Sequence, residues 1–180
     1  PDQLHKVGYK LALYPVMLLS SSIAAMQATL EGLWPGSKTP QPPTMSFTDL
    51  DVADVITRTV AAVADRYHAK NVVLSTDLAA VRHDVWGDPQ RLTQVLVNVL
   101  DNALRHTSAG GHVNVGTDLE GPHLVVRVTD DGDGIADAHL PHVFERLYRA
   151  DTARDRDHGG SGLGLAIAKA LVDAHGGHIS

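Results

Sequence analysis

The stretch from Asp88 to His106 constrains the fold more than any other part of the sequence. Asp88 stands at a helix N-cap position and Pro89 at the first helical position, where a missing N–H costs no hydrogen bond. The helix that they introduce carries apolar residues at three- and four-residue spacing: Leu92, Val95, Leu96, Val99, Leu100 and Ala103. This apolar stripe has to be buried, and we expect it to cover a sheet.

Strand-like segments lie on both sides of this helix. NVVLSTDL precedes it, and the alternating runs HVNVGTDL and HLVVRVTD follow it. Glu120, Gly121 and Pro122 separate the last two runs, which is typical of a hairpin.

Three further helices are predicted. Val52 to Tyr67 repeats apolar residues at helical spacing after the candidate caps Asp49 and Asp51, and a short helix is expected from about Asp137 to Tyr148. The run LGLAIAKALVDAHG predicts a last helix that ends at the glycine pair GG. In this order the elements predict a two-layer α/β sandwich, in which helices back one mixed, mostly antiparallel sheet.

A composition break divides the chain. Residues 35–46 hold four of the nine prolines, which predicts a semi-rigid linker. The segment before it, from Leu11 to Leu33, is helix-like and has apolar residues at Ile23, Met26, Leu30 and Leu33. We therefore expect residues 1–46 to be a partial helical segment with a linker, and residues 47–180 to be one domain.

Charge and composition exclude several classes of function. The 15 basic and 21 acidic side chains give a net charge of −6 without a basic patch, so nucleic acid is not an expected partner. There are no cysteines, and the 11 histidines are scattered, so no metal cluster is expected. The longest apolar run, Leu11 to Leu19, is about half as long as a membrane span requires. We expect no membrane span in this chain and a cytoplasmic location.

The polar side of the central helix has two interpretations. It collects Gln94, Asn98, Asp101, Asn102 and Arg105. Most such faces are simply solvated. Asparagine, however, is a poor helix former, and its side-chain amide can ligate hydrated Mg²⁺ or bond phosphate oxygens. An arginine on the same face suits an anionic ligand.

Two glycine-containing loops also allow more than one interpretation. VTDDGDGI places Asp130 where a strand gives way to a loop; Asp-Gly pairs are mostly turns, and the glutamate that an EF-hand calcium loop needs is absent. HGGSGLGLAI places four glycines within residues 159–164, just before a helix. Such a loop binds phosphate through backbone N–H groups or acts as a hinge, and it matches neither the Walker nor the Rossmann pattern.

Together the asparagine helix, VTDDGDGI, VFERLYRAD and GGSGLGLAIAKALVDAHGG resemble, in this order, the ATP-binding domain of sensor histidine kinases. That domain has the Bergerat fold of the GHKL superfamily, which includes gyrase-type ATPases and a heat-shock chaperone. The resemblance covers about residues 48–179. It implies a protein histidine kinase of a two-component system that uses ATP and Mg²⁺.

The resemblance also implies roles for individual residues. Asn102 matches the Mg²⁺ ligand, Arg105 a phosphate contact, and Asp130 the carboxylate that accepts from the adenine amino group. Asn98, Asn102 and Arg105 are the expected catalytic residues. The residues expected at the nucleotide are Asn98, Asn102, Arg105, His106, Asp130, Gly132, Gly134, Ile135, Phe144, Tyr148, Arg149, Gly160, Ser161, Gly162, Leu163 and Gly164. The glycine-rich stretch that contains Gly160, Gly162 and Gly164 is expected to form, with the segment from Phe144 to Asp151, a lid over the triphosphate.

One position bears on the type of reaction. Relatives that hydrolyse ATP carry a general-base glutamate four residues before the Mg²⁺ ligand, whereas this chain has Asn98 there. An amide does not accept a proton in that role, so transfer of the phosphoryl group to another protein is favoured over hydrolysis.

The sequence departs from the family pattern at both ends. By the register of the helical segment, Met17 takes the place of the phosphoacceptor histidine, and the C-terminal hairpin expected after GGHI is missing. We therefore expect phosphotransfer in trans to a separate histidine-containing protein and then to a response regulator. The alternatives are an anti-sigma-type serine kinase or nucleotide-binding regulatory module, and a scaffold that has lost nucleotide binding.

Overall fold

The computed structural model describes residues 8–13, 45–79, 84–149 and 162–180. The elements in these ranges are β1 (Gly8–Leu13), β2 (Thr48–Asp51), α1 (Val52–Ala69), β3 (Val73–Asp77), β4 (Asp84–Gly87), α2 (Pro89–His106), β5 (His112–Glu120), β6 (His123–Asp130), α3 (Gly164–Ala174) and β7 (His178–Ile179). Among the helices within these ranges, none has both the length and the apolar character that a bilayer span requires.

The strands form one mixed sheet and one small antiparallel sheet. The five-stranded sheet has the order β3-β5-β6-β1-β7, in which β3 and β5 are parallel and the other neighbours are antiparallel. The second sheet pairs β2 with β4. Buried residues of all three helices pack in one core with buried residues of β5 and β6. The predicted two-layer α/β sandwich with a mostly antiparallel sheet is therefore confirmed.

Helix α2 forms as its sequence predicts. The carboxylate of Asp88 accepts hydrogen bonds from the backbone N–H groups of Gln90 and Arg91 at 2.9 and 3.1 Å, and Pro89 is the first helical residue. All six residues of the predicted apolar stripe are buried: Leu92, Val95, Leu96, Val99, Leu100 and Ala103. The polar side of the helix is thereby left facing away from the sheet.

Of the two candidate caps of α1, Asp51 takes the role, whereas Asp49 lies within strand β2. Asp51 is the N-cap of α1 and accepts from the N–H of Ala53 at 3.0 Å. Gly121 has a φ of 62° in the β5–β6 turn, and Gly176 has a φ of 69° just after α3, conformations that glycine adopts without steric cost.

The predicted helix from Leu11 to Leu33 is wrong at its beginning. Residues 8–13 are strand β1, in which Leu11 lies opposite Val126 of β6 and Ile179 of β7. The sequence GYKLAL alternates between larger apolar residues and other residues. This period of two is typical of a β-strand. Met17 and the rest of that predicted helix lie outside the described residues.

The predicted helix from Asp137 to Tyr148 is also wrong. Only a 3₁₀ turn, Leu140–His142, forms there, within a series of i→i+3 hydrogen bonds such as His142 N to His139 O and Glu145 N to His142 O, both 2.9 Å. Pro141 has no N–H to donate, which favours short turns over a continuous α-helix. Strand β4 forms in a stretch just before α2 for which no strand was predicted.

Candidate functional site

The asparagine face of α2 lies against the start of α3. A Cβ atom on Gly164, the first residue of α3, would lie 3.7 Å from Oδ1 of Asn98, so the two elements are in van der Waals contact there. The Nδ2 amide of Asn98 is buried, and no described residue accepts a hydrogen bond from it. Buried polar atoms are normally paired, so this amide is suited to a bound acceptor. Asn102 lies one turn further along α2 and is partly buried.

The start of α3 is suited to an anion. Leu163 stands at its N-cap position, where it offers no side-chain oxygen to the first N–H groups. Unpaired N–H groups and the positive end of the helix dipole attract anions, and phosphate is commonly bound at such helix ends. The Asn98 amide lies beside this helix end, so the two can contribute hydrogen-bond donors to the same region.

Gly162 joins the predicted lid segment to α3. Its φ is 67°, and its carbonyl accepts from the N–H of Leu147 at 2.9 Å. A Cβ on Gly162 would lie 3.0 Å from backbone atoms of Leu147 and Tyr148, so both its conformation and its surroundings require glycine. Gly160 and Ser161, also assigned to the nucleotide, lie outside the described residues.

Asp130 is the last residue of β6 and is 9% exposed. Its position alternates with Val126 and Val128, which places it on the helix-facing side of the sheet. Burial raises the pKa of its carboxyl group, and the N–H of Gly132, 3.0 Å from Oδ1, partly opposes that rise. His106 also lowers this pKa electrostatically, but none of the described residues forms a salt bridge with Asp130. A buried carboxylate of this kind is suited to a ligand that donates hydrogen bonds.

The loop after Asp130 packs against the end of α2. A Cβ on Gly132 would collide with the carbonyl oxygen of His106 and would lie 2.8 Å from Asp130 Oδ1. The same His106 oxygen accepts from the N–H of Asp133 at 3.3 Å. Gly134 has a φ of 74°, and the partly buried Ile135 packs against the core. The Asp130 loop and the last turn of α2 are therefore one packed unit.

The remaining predicted residues surround these two regions. Arg105 is partly buried, whereas the side chain of His106 is exposed. Phe144 packs against the core, and Arg149 is partly buried. The hydroxyl group of Tyr148 lies 2.7 Å from Nδ1 of His139.

The histidines in the described ranges do not form a metal centre. His139 is bonded to Tyr148, and Nδ1 of His142 lies 2.7 Å from Oε1 of Glu145. No group of three metal-ligating side chains occurs in the part of the chain that the structure describes.

Sequence reasoning missed two residues that hold α2 in place. Tyr67 donates from its hydroxyl group to the carbonyl of Leu100 at 2.8 Å. The ammonium group of Lys70 donates to the carbonyls of Leu104 and Arg105 at 2.7 and 2.9 Å. Helical spacing shows which residues of α1 are apolar, but it does not show which carbonyls of another helix they reach.

A groove of about 290 Å³ lies on the other face of the sheet and is separate from this site. Asn114 and Arg127, which line it, alternate with the buried Val113 and Val126 and therefore point away from the helices. None of the residues that line the groove is a predicted site residue.

The two regions suit the two ends of one ligand. From Asn98 to His106, α2 rises by about 12 Å, at 1.5 Å per residue. The Asn98 and α3 end offers donors for anionic oxygens, and the Asp130 end offers a carboxylate for an amine. The arrangement is suited to an elongated ligand with an anionic group at one end and a hydrogen-bond-donating group at the other.

Several known proteins are similar in sequence to this chain. A model of the family described as "Histidine kinase-, DNA gyrase B-, and HSP90-like ATPase" matches residues 87–180. Sensor histidine kinase YkoH of Bacillus subtilis is 40% identical over 134 residues, which are 73% of this chain and 29% of that protein. Sensor histidine kinase WalK of the same organism is 49% identical over 94 residues, 51% of this chain and 15% of that protein. The chain thus spans less than a third of these curated relatives.

Solved structures agree with this assignment. The structure of the mycobacterial sensor histidine kinase MprB is 33% identical, with a TM-score of 0.63, and covers 73% of this chain and 81% of that chain. Full-length ShkA in complex with AMPPNP is 26% identical, with a TM-score of 0.63 over 73% of this chain and 27% of that chain. The chain belongs to the histidine kinase-, DNA gyrase B- and HSP90-like ATPase family and carries the ATP-binding catalytic domain of a sensor histidine kinase.

Proposed function

We propose that this chain binds ATP with Mg²⁺ along the polar face of α2 and transfers the γ-phosphoryl group to a histidine of a partner protein in the cytoplasm. The observation that carries the proposal is the buried Nδ2 amide of Asn98. It has no acceptor among the described residues, and it lies beside the start of α3. The phosphates would lie at this position, and the adenine would lie at Asp130.

Asp130 accounts for the choice of base. The exocyclic amine of adenine donates hydrogen bonds, whereas guanine has a carbonyl at the same position, which would face the carboxylate of Asp130 oxygen to oxygen. A buried polar group that is left unpaired discriminates strongly against the wrong ligand. We therefore propose that ATP is preferred over GTP.

Asn102 and Arg105 would contact the phosphate groups and the metal ion. The amide oxygen of Asn102 is a hard ligand of the type that Mg²⁺ takes, and the guanidinium group of Arg105 pairs with phosphate oxygens. Bound Mg²⁺ neutralises phosphate charge. Mg²⁺ usually takes only one or two protein ligands beside phosphate oxygens and water, which fits a site without a cluster of carboxylates in the described ranges.

The reaction needs little proton transfer from the protein. A nitrogen lone pair of a neutral imidazole forms the new N–P bond while the bond from the γ-phosphorus to the bridging oxygen breaks, and its electron pair leaves with ADP. The protein contributes positioning and charge neutralisation. Asn98 provides no general base for water, which favours the histidine acceptor over hydrolysis.

The acceptor would belong to another polypeptide. Met17 stands where the family resemblance places the phosphoacceptor histidine, so we propose a partner that carries this histidine on a helical dimerisation segment. A response regulator would then take the phosphoryl group from that partner.

The test uses ATP labelled at the γ-phosphate. The chain is incubated with label alone, and then with the histidine-bearing helical segment of a sensor kinase and with its histidine-to-alanine variant. We expect acid-labile label on the intact partner only. Label on this chain in the absence of a partner would contradict transfer in trans, and a folded chain that takes up no adenine nucleotide at any Mg²⁺ concentration would contradict the whole proposal.

A further inference from the structure

We propose that Lys70 is a positioning residue for the base end of the site, which it holds by closing the C-terminal end of α2. The inference rests on the proposed binding of an adenine nucleotide beside Asp130. Lys70 follows α1 directly and is partly buried against α2. Its role depends on which backbone oxygens its ammonium group occupies.

The last turn of a helix has carbonyl oxygens that lack a donor within the helix. Lys70 Nζ donates to two of them in α2, to Leu104 O at 2.7 Å and to Arg105 O at 2.9 Å. These bonds are charge-assisted, and the positive charge lies at the negative end of the helix dipole. Both effects stabilise the last turn of α2 in its helical conformation.

The next carbonyl along the chain belongs to the base end of the site. His106 O follows the two oxygens that Lys70 holds, and it accepts from the N–H of Asp133 at 3.3 Å. It also lies so close to Gly132 that no Cβ atom would fit between them. Gly132 in turn donates its N–H to Asp130 Oδ1 at 3.0 Å.

These contacts form a continuous path from Lys70 to Asp130. A close-packed contact such as that between Gly132 and the His106 carbonyl transmits small displacements because it leaves no free space. Loss of the Lys70 bonds would loosen the Arg105–His106 peptide and, through it, the backbone that orients the carboxylate of Asp130. The ammonium group is already engaged by two carbonyls, so Lys70 acts through these residues and not as a ligand of the nucleotide.

The experiment compares three variants of the full chain. Lys70→Met removes the charge and both bonds, while Lys70→Arg keeps a charged donor of similar reach. Arg58→Met removes one charge from α1, the helix that precedes Lys70, at an exposed position where Arg58 pairs with Asp54. ADP and a non-hydrolysable ATP analogue are titrated against each variant, and thermal unfolding of each is recorded.

We expect Lys70→Met to weaken ADP and the ATP analogue by the same factor, about five- to tenfold, because the effect lies at the base end that both share. Lys70→Arg should restore affinity to within about twofold of the original chain, and Arg58→Met should leave it unchanged. An unchanged affinity in folded Lys70→Met, or a loss confined to the ATP analogue, would overturn the inference. A loss that Lys70→Arg fails to restore would also overturn it.

A second measurement, made without nucleotide, tests whether Lys70 holds the loop after Asp130 in place. Amide hydrogen exchange at Asp133, whose N–H bonds the His106 carbonyl, should become faster in Lys70→Met and stay slow in Lys70→Arg and Arg58→Met. Exchange at Asp133 that is equally slow in all variants would contradict the positioning role of Lys70. If the original chain binds no adenine nucleotide, the proposed function fails, while this exchange measurement still decides whether Lys70 holds the loop.

Discussion

At the Asp130 end of α2, the loop and the helix are joined by hydrogen bonds and by a glycine packed against a carbonyl, whereas at the Asn98 end a buried amide donor has no acceptor in the described ranges. These contacts fix the backbone at the Asp130 end without a ligand, and such preorganisation lowers the entropy that binding costs. At the Asn98 end, the buried amide donor has no acceptor among the described residues, so a bound acceptor would stabilise it. We infer that the Asp130 end selects the base of the nucleotide and that the Asn98 end binds its phosphate groups.

The largest effect should come from the part of the site around Asn98 and Asn102. Asn102→Ala removes the proposed Mg²⁺ ligand and should lower phosphotransfer to the partner histidine by about 100-fold or more, because the charge on the phosphates would be poorly neutralised. The measurement is the initial rate of partner labelling. Asn114→Ala is the matched control, since Asn114 lies on the other face of the sheet, where it bonds Ser75. A rate as high in Asn102→Ala as in the control would contradict the assignment.

The next largest effect is expected at Asp130, where a substitution should lower ADP affinity without lowering thermal stability. Asp130→Asn retains an oxygen that can accept from Gly132 but replaces the carboxylate, so affinity for ADP should fall about tenfold. Because burial of the charge raises the pKa of Asp130, the ionised carboxyl group opposes folding at neutral pH, and the variant should melt at the same or a higher temperature. Calorimetric titration and thermal unfolding check the two expectations.

Asp131→Asn is the control for this change, because Asp131 is the exposed neighbour in the same loop. It should retain ADP affinity. If Asp130→Asn binds ADP as tightly as Asp131→Asn does, the carboxylate does not select the base, and the comparison between the two ends loses its basis.

A third change tests whether the loop and α2 are one packed unit. Gly132→Ala would place a methyl group against the His106 carbonyl, so the free energy of unfolding should fall by about 1–3 kcal/mol. Gly116→Ala is a fair control, since its Cβ would meet the nearest atom, Asp77 O, at an ordinary 3.5 Å. Equal denaturant midpoints for the two variants would show that the Gly132 contact relaxes without cost.

The sequence predicted the elements whose signals are local. The Asp88 cap, Pro89 and the apolar stripe defined α2 from end to end, because capping and helical periodicity act within one turn. The helix predicted from Leu11 became strand β1 because strand pairing with β6 and β7 depends on residues more than a hundred positions away. The helix predicted from Asp137 failed at Pro141, where short turns replace it.

Residue types in the sequence pointed to the candidate site residues but not to the residues that hold them in place. The resemblance selected Asn98, which lies in the middle of α2, and Asp130, whose loop packs against the C-terminal end of that helix. Lys70 carried no signal in the sequence, because a lysine after a helix is usually solvated and its bonds are made to backbone oxygens, which every residue has. Which backbone atoms meet is a result of packing and cannot be read from side-chain patterns.

The smallest effect concerns pH, and it distinguishes the two neighbouring carboxyl groups. Burial raises the pKa of Asp130, and the proposed contact needs its ionised form, so ADP affinity should fall as the pH is lowered from neutral toward this raised pKa. Asp130→Asn should remove this dependence and leave only the part that the phosphates of ADP contribute. A profile that is identical in both proteins would exclude titration of Asp130 as its cause.

Asp131 should behave in the opposite way. The backbone N–H of His112 lowers the pKa of Asp131, so its ionised form stabilises the fold above the ordinary aspartate range, and this contribution is lost as pH falls through the lowered pKa. Asp131→Asn should therefore retain the ADP profile between about pH 7 and 5 and change only the acid limb of the unfolding curve. If Asp131→Asn also flattened the ADP profile, both carboxyl groups would act on the nucleotide, and base selection would not rest on the buried one alone.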